Sequence, residues 1–495
     1  MLVRGFYNEK YLKLQSQRIK ERISLFGEKL YLEFGGKLFD DFHASRVLPG
    51  FAPDSKIRML IELREEAEII IAINTADIEK NKVRGDLGIT YDLDVLRLID
   101  AFRGYGLYVG GVVMTRYRSN QTADAFKSKL EKLGIKVYKH YDIDGYPHNI
   151  PHIVSDEGFG KNEYIETERP VVIVTAPGPG SGKMATCLSQ IYHENKRGVK
   201  SGYAKFETFP IWNIPLGHPV NLAYEAATAD LADVNMIDPF HLEAYGTTAV
   251  NYNRDVEVFP VLRAILQEIL GECPYKSPTD RGVNMAGFCI YDDEAVGYAA
   301  KQEIIRRYYN ALCNLRKGVG NEVEIEKIEL LMRKLMLDPR RDRPCVLAAL
   351  SKAEQTDNPA VAIELNDGRV VTGKTTPLLG ASSAALLNAL KAIAGIEKEV
   401  EIISPEILAP IQSLKTENLG GHNPRLHTDE VLIALSISAV NNSLAKAAME
   451  AIPALRNAEV HSTVILSQVD ASTFRKLGVN LSCEPRYQTK KLFHN

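Results

Sequence analysis

Residues 171–174, VVIV, form a short apolar run that breaks into TAPGPGSGK and passes directly into MATCLSQIYHENKRG. The run reads as a buried strand, and Leu188, Ile191 and Tyr192 then recur at the spacing of a helix face. Strand, glycine loop and helix in that order commit this part of the chain to an α/β unit. Gly178, Gly180 and Gly182 alternate through the loop, which permits the dihedrals that turn successive amides toward one point. Binding an anion is the chemistry such a turn serves. Gly178, Gly180, Ser181, Gly182, Lys183, Met184, Ala185 and Thr186 are therefore the expected cradle, with Lys183 as the point charge and the helix N-terminus adding its dipole. Met184 stands where Ser or Thr would ligate Mg²⁺, leaving Ser181 or Thr186 as imperfect substitutes. The competing reading is a glycine turn packed on its helix with an exposed lysine.

A second stretch matches the phosphate-loop pattern letter for letter. GRVVTGKT, residues 368–375, satisfies G-x-x-x-x-G-K-[ST], but Val370, Val371 and Thr372 are stiff, β-branched residues where a loop must wrap an anion. It follows VAIELNDG, in which Asp367-Gly368 is a hairpin turn signal. The pattern predicts the return strand of a hairpin.

After a charged helical lead-in, KIRMLIEL and AEIIIAIN read as strands and DLDVLRLIDAFRGYG as a helix. LYVGGVVMTRY follows as a strand, TADAFKSKLEKLG as a helix and IKVYKHY as a strand. Such alternation predicts a parallel sheet with helices on its faces. YDIDGYPHNIPHIVSDEGFGKNEYIETERP reads as a long connection, and NEVEIEKIELLMRKLMLDPRRDRP as a charged separator before an Ala-, Leu- and Ser-rich region. The expected fold is α/β and multi-domain: parallel sheets flanked by helices, a phosphate-loop-like strand-loop-helix, and a C-terminal α/β domain. The expected boundaries are an N-terminal domain at 1–165, the loop-bearing domain at 166–340 and a last domain at 341–495.

Bulk properties exclude some functions. With 60 basic and 63 acidic residues the formal charge is −3, which gives no field to attract a polyanion, so a nucleic-acid partner is not expected. The charged N-terminus lacks an apolar signal core, and no run approaches the roughly 20 apolar residues of a membrane helix. Six cysteines occur without a metal or redox spacing. These features predict a cytoplasmic protein with a small-molecule substrate, and the Ala/Leu-rich helices after residue 380 predict a homo-oligomer.

Downstream of the loop, DLADVNMIDPFHLEAYG carries a short apolar strand ending at Asp238. A carboxylate at the end of a strand in an open α/β sheet lies at the ligand crevice, so Asp238 is the expected Mg²⁺ ligand, with His241 or Glu243 to move a proton. The alternative is that Asp238 caps the next helix and His241 is a buried, hydrogen-bonded core residue. Glu225 near His218, Trp212, Arg254, and Arg425 with His427 and Asp429 are weaker polar clusters of a kind common in loops.

From the glycine loop through RGVKSGYAKFETFP the chain resembles dethiobiotin synthetase and related ATP-dependent amide-forming enzymes, with Lys205 lying 22 residues after Lys183. The resemblance implies that Lys205 helps to hold phosphate and a substrate carbamate; the family's Thr after the loop lysine is missing. Over its full length the chain resembles a bacterial family known only as a domain of unknown function. The segments that carry this are INTADIEKNKVRGDLGITYD, VIVTAPGPGSGKMATCLSQ, YAKFETFPIWNIPLGHPVNLAYEAATADL, VNMIDPFHLEAYG and NPRLHTDEVLIALSISAVNNSLAKAAMEAI. The preferred functional expectation is an ATP-using ligase or phosphotransferase with Mg²⁺. The alternatives are an enzyme without ATP that acts on a phosphorylated metabolite, and an oligomeric nucleotide sensor.

Overall fold

The computed structural model describes residues 4–27, 29–84, 88–231 and 233–488. The chain divides into two compact units, one built from residues 4–224 and 233–296, the other from residue 297 onward with a short segment beginning at Glu225.

The first unit is organised on a seven-stranded sheet, all parallel. Its strands are β1 (Lys29–Phe34), β2 (Ala67–Asn74), β3 (Tyr108–Thr115), β4 (Val137–Lys139), β5 (Val171–Thr175), β6 (Ser201–Phe206) and β7 (Gly282–Val283), in the spatial order β7-β6-β1-β5-β2-β3-β4. Every residue of β2 and of β5 is buried, as in parallel strands covered on both faces. On one face α1 (Asn8–Phe26), α2 (Tyr91–Gly104) and α3 (Gln121–Lys132) pack against Leu30, Leu32, Ile69, Ile71 and Ile73. On the other, α4 (Lys183–Lys196) and α5 (Asn253–Leu270) cover Tyr31, Ile70, Ala72, Val172 and Val174. From β2 the chain steps outward through β3 to β4, returns to β5, and then steps the other way past β1 to β6. The reversal puts a crevice at the carboxyl ends of β5 and its neighbours, where open α/β sheets bind ligands.

Three expectations change. Strands from both sides of residue 165 are hydrogen-bonded in this one sheet, with β1 lying between β5 and β6, so 1–165 is not a separate domain. KIRMLIEL lies in a helix, Ser55–Glu62, because Ile57, Met59 and Leu60 are buried together on one helical side. The strand before Asp238, Asn235–Ile237, pairs antiparallel with Val250–Tyr252 in a two-stranded ribbon outside the parallel sheet. Asp238 therefore does not stand at the carboxyl edge of that sheet.

The second unit carries a mixed four-stranded sheet of β8 (Ala360–Glu364), β9 (Val370–Lys374), β10 (Glu459–Ser462) and β11 (Asn480–Cys483), ordered β9-β8-β10-β11. GRVVTGKT enters it as predicted: β9 returns antiparallel to β8 after a turn in which Gly368 has φ +84°. The next helix, α6, spans Ala381–Ile393, and Ala385, Leu386, Ala389 and Leu390 on it are buried in the core of their own unit. Among the described residues no helix is long and apolar enough to cross a membrane.

Candidate anion site and its buried charge network

The loop from β5 to α4 is held open by its neighbours. Gly180 and Gly182 have φ +75° and +83°, a conformation in which a side chain is strained, and Gly182 caps α4. Asn74 at the end of β2 donates to the Gly180 carbonyl at 3.4 Å, and Thr115 at the end of β3 donates to the Ser181 carbonyl at 2.8 Å. With the carbonyls drawn away, none of the amides from Gly180 to Ala185 has an acceptor among the described residues. A Cβ on Gly178 would overlap the Tyr91 hydroxyl, so only glycine lets the loop lie against α2. The Ser181 hydroxyl donates to the Gly178 carbonyl at 2.6 Å, and the buried Thr186 hydroxyl has no hydrogen-bond partner among the described residues.

Lys183 is half-buried at the first position of α4 and makes neither a hydrogen bond nor an ion pair with the described residues. Burial lowers its proton affinity; Glu33 pulls it back up and Lys205 pushes it further down. An uncompensated cation beside a set of free amides is the electrostatic complement of an oxyanion.

Beyond Lys183 lies a network that the sequence did not disclose. Tyr203, Lys205 and Glu207 follow one another at alternate positions on β6 and its carboxyl end, so they share a face. Glu33 on β1 is in register with Lys205, and Gly282 on β7 flanks it on the other side. Lys205 Nζ lies 2.7 Å from Glu207 Oε1 and 2.5 Å from Asp255 Oδ2 in the first turn of α5. Arg281, fully buried just before β7, lies 3.0 Å from the same Asp255 oxygen. Tyr203 donates its hydroxyl to Glu33 at 2.6 Å. Burial works against each charge, but Asp255 and then Glu207 hold Lys205 protonated, while Lys205 and Arg281 keep Asp255 ionised. Glu207 goes the other way. Burial raises its proton affinity against the pull of Lys205, and the Asp255 charge adds to the rise.

Of the residues singled out from the sequence, Lys205 is electrostatically coupled to Lys183. Asp238 is fully buried as the cap of Pro239–Tyr245, accepting from the amides of Phe240 and His241 at 3.0 Å each and from the Thr279 hydroxyl at 2.6 Å. His241 packs beside Tyr245 with Nδ1 3.1 Å from the Ser277 hydroxyl, and Glu243 is exposed. None of these three reaches the loop through a hydrogen bond. Among the described residues no three His, Cys, Asp or Glu side chains converge as a metal site. For a loop-bound Mg²⁺, Asp238 is engaged as a helix cap and Met184 brings no oxygen, which leaves the Ser181 and Thr186 hydroxyls as the oxygens that would hold it. Glu33, Glu207, Asp255 and Arg281 escaped notice; the one local signal was Lys205 and Glu207 two apart at a strand end.

Family models cover nearly all of the chain: residues 4–336 match the domain of unknown function DUF1846, N-terminal, and residues 341–493 its C-terminal counterpart. The chain belongs to this family. It is 58% identical over 493 residues to the UPF0371 protein str1377 of Streptococcus thermophilus (strain CNRZ 1066), covering 100% of both chains. It is 57% identical, again over 100% of both, to the UPF0371 protein spr0309 of Streptococcus pneumoniae (strain ATCC BAA-255 / R6). Both relatives are from bacteria, and the two family models divide the chain between residues 336 and 341.

Proposed function

We propose that this chain is an enzyme that binds a phosphorylated small molecule at the carboxyl edge of its parallel sheet, with the phosphate seated on the amides of Gly180 to Ala185 and on Lys183. The observation that carries the reading is the coincidence, among the described residues, of a lysine without an ion pair and a run of amides without acceptors. Either feature alone is ordinary at a helix start; together they leave a positive, preorganised set of donors that an anion completes. The acid–base network of Lys205, Glu207, Asp255 and Arg281 beside it supports an enzyme over a sensor, because paired carboxyls of opposite protonation tendency are the means of moving protons near neutrality.

Met184 in place of a hydroxyl residue favours a phosphorylated metabolite over a magnesium nucleotide. The second reading, an ATP-dependent ligase or phosphotransferase, is favoured by the local resemblance around Lys183 and Lys205. Calorimetry with inorganic phosphate, ADP and ATP on the parent and on Lys183→Ala separates them. Phosphate binding that weakens at least about tenfold in the variant, the scale of one charge-assisted contact, is the expected outcome. Tighter binding of ATP than of phosphate selects the second reading, and equal affinities in parent and variant reject both.

A further inference from the structure

Six ionisable side chains gather at the carboxyl edge around β6: Lys183, Lys205 and Arg281 against Glu33, Glu207 and Asp255. The contacts of five of them are set by the geometry. Lys205, partly exposed, and Arg281, fully buried, both stand within ion-pair distance of Asp255, Tyr203 donates to the Glu33 carboxyl, and Lys183, at the first position of α4, makes no ion pair with the described residues. Counted by the ordinary charges of their side-chain types, these five are three cations and two anions, one positive charge over. Glu207 decides whether that surplus exists. Ionised, it cancels the surplus; protonated, it leaves a net positive site for an incoming anion.

The position of Glu207 suits it to this role. Its side chain is 8% exposed and touches one cation, Lys205 at 2.7 Å, whereas Asp255 is gripped by two. Around it stand Lys205 on β6, Asp255 on α5, Arg281 before β7, and the hydroxyls of Tyr224 and Tyr252, whose proton affinities are raised by burial with a smaller contribution from Glu207. Its Oε2 lies against Gly282, where a Cβ would stand 3.1 Å away, so the carboxyl is packed on the side where β7 closes the sheet.

We propose that Glu207 is the proton-carrying residue of this site, and that an anion docking at Lys183 is taken up together with a proton that resides on the Glu207 carboxyl. The proposal rests on the anion-binding reading above. On binding, one proton passes from solvent to a Glu207 oxygen and the lone pair that met Lys205 becomes an O–H bond; the Lys205 ammonium keeps Asp255 as its partner. On release the proton returns to water. Linkage makes the effect reciprocal: affinity for the anion falls as pH rises through the range in which Glu207 ionises. The substrate class is then a phosphorylated compound whose reaction needs a proton delivered close to the phosphate-bearing end.

Sulfate is the probe, because its own charge does not change near neutrality. Titration calorimetry at constant pH in buffers of different ionisation enthalpy reads the protons bound per sulfate. The parent should take up a proton, approaching about one per site where Glu207 begins ionised, as linkage requires. Glu207→Gln, an isostere of the protonated acid, should bind sulfate at least as tightly with that uptake lost. Sulfate binding by the parent without proton uptake, or uptake that survives unchanged in the variant, overturns the proposal. Infrared titration of the free parent against Glu207→Gln decides the matter without any ligand: a protonated-carboxyl band that disappears in the variant is expected, and its absence from below neutrality upward overturns the assignment. Failure of sulfate to bind at all rejects the anion site itself and leaves the infrared result to judge Glu207.

Discussion

Glu33 and Lys205 stand side by side, in register, at the carboxyl ends of the adjacent parallel strands β1 and β6. A carboxylate and an ammonium so placed usually pair; here Lys205 turns instead to Glu207 and Asp255, and Glu33 is taken by the Tyr203 hydroxyl. Among the described residues, the arrangement leaves Lys183 without an ion-pair contact to the carboxylates of this edge.

Removing Asp255 should expose how much the network depends on it. Asp255→Ala removes the carboxylate that Lys205 and Arg281 share, leaving Lys205 with Glu207 and the fully buried Arg281 without that ion pair. Breaking a buried ion pair of this kind costs on the order of 3–5 kcal/mol. Urea unfolding followed by circular dichroism should register a loss of that size, and a loss below about 1 kcal/mol would mean that the charges are solvated.

The loop glycines should differ in cost. At Gly182, φ is +83° and a Cβ would lie 3.1 Å from Thr115, whereas at Gly180, φ is +75° and a Cβ meets nothing within 4 Å. Gly180→Ala carries only the left-handed backbone penalty, about 1–2 kcal/mol. Gly182→Ala adds the contact with Thr115, and its unfolding midpoint should fall further. Equal midpoints for the two variants would count against the packed position of Thr115.

Acid sensitivity should come in part from His140. Buried just past the end of β4, with its amide donating to the Met114 carbonyl of β3 and Nε2 3.2 Å from the Glu163 carbonyl, it has its proton affinity pushed down by burial from 6.5 to about 3. In that interval the unfolded chain holds a proton that the folded chain refuses, so stability falls as pH drops below 6.5 and keeps falling toward about 3. Denaturation midpoints taken at about pH 7.5 and about pH 5 should differ less in His140→Phe than in the parent. An unchanged difference would show that this histidine titrates normally.

In the second unit, Gly373 on β9 lies under the backbone of α6, where a Cβ would overlap the Ala385 amide nitrogen. Gly373→Ala should therefore lift the helix from the hairpin and cost about 1–3 kcal/mol, as overpacking does. Lys374→Ala next to it should be nearly neutral in the same denaturation assay and should leave phosphate binding untouched. Loss of phosphate binding in Lys374→Ala would return GRVVTGKT to consideration as an anion loop.

The α/β character was legible because the β2 run AEIIIAIN and the β5 run VVIV are continuous apolar stretches followed by helices with clear periodicity. The hairpin at Gly368 was legible for a local reason too, since turn chemistry and β-branching act within a few residues. The placement of β1 was not: KLYLEF follows a charged helix and says nothing of strands that come far later in the chain. With β1 unplaced, Glu33 had no visible partners, and Arg281, next to a two-residue edge strand, gave no local signal. Asp238 was read as the end of a sheet strand because a three-residue apolar run looks the same in a ribbon and in a parallel sheet.

The central seat of β1 also sets a timetable. Leu30 finds its neighbours in Val171 and Gly202, so during synthesis the first strand must wait, its edges open, until well over a hundred further residues have left the ribosome. Until then a KLYLEF segment is a sticky edge with no mate, and a truncated or stalled chain would present it to any other nascent copy. A protein made this way has no half-finished version of its site: Glu33, Lys183, Lys205 and Arg281 meet only at the end, when the last edge strand closes.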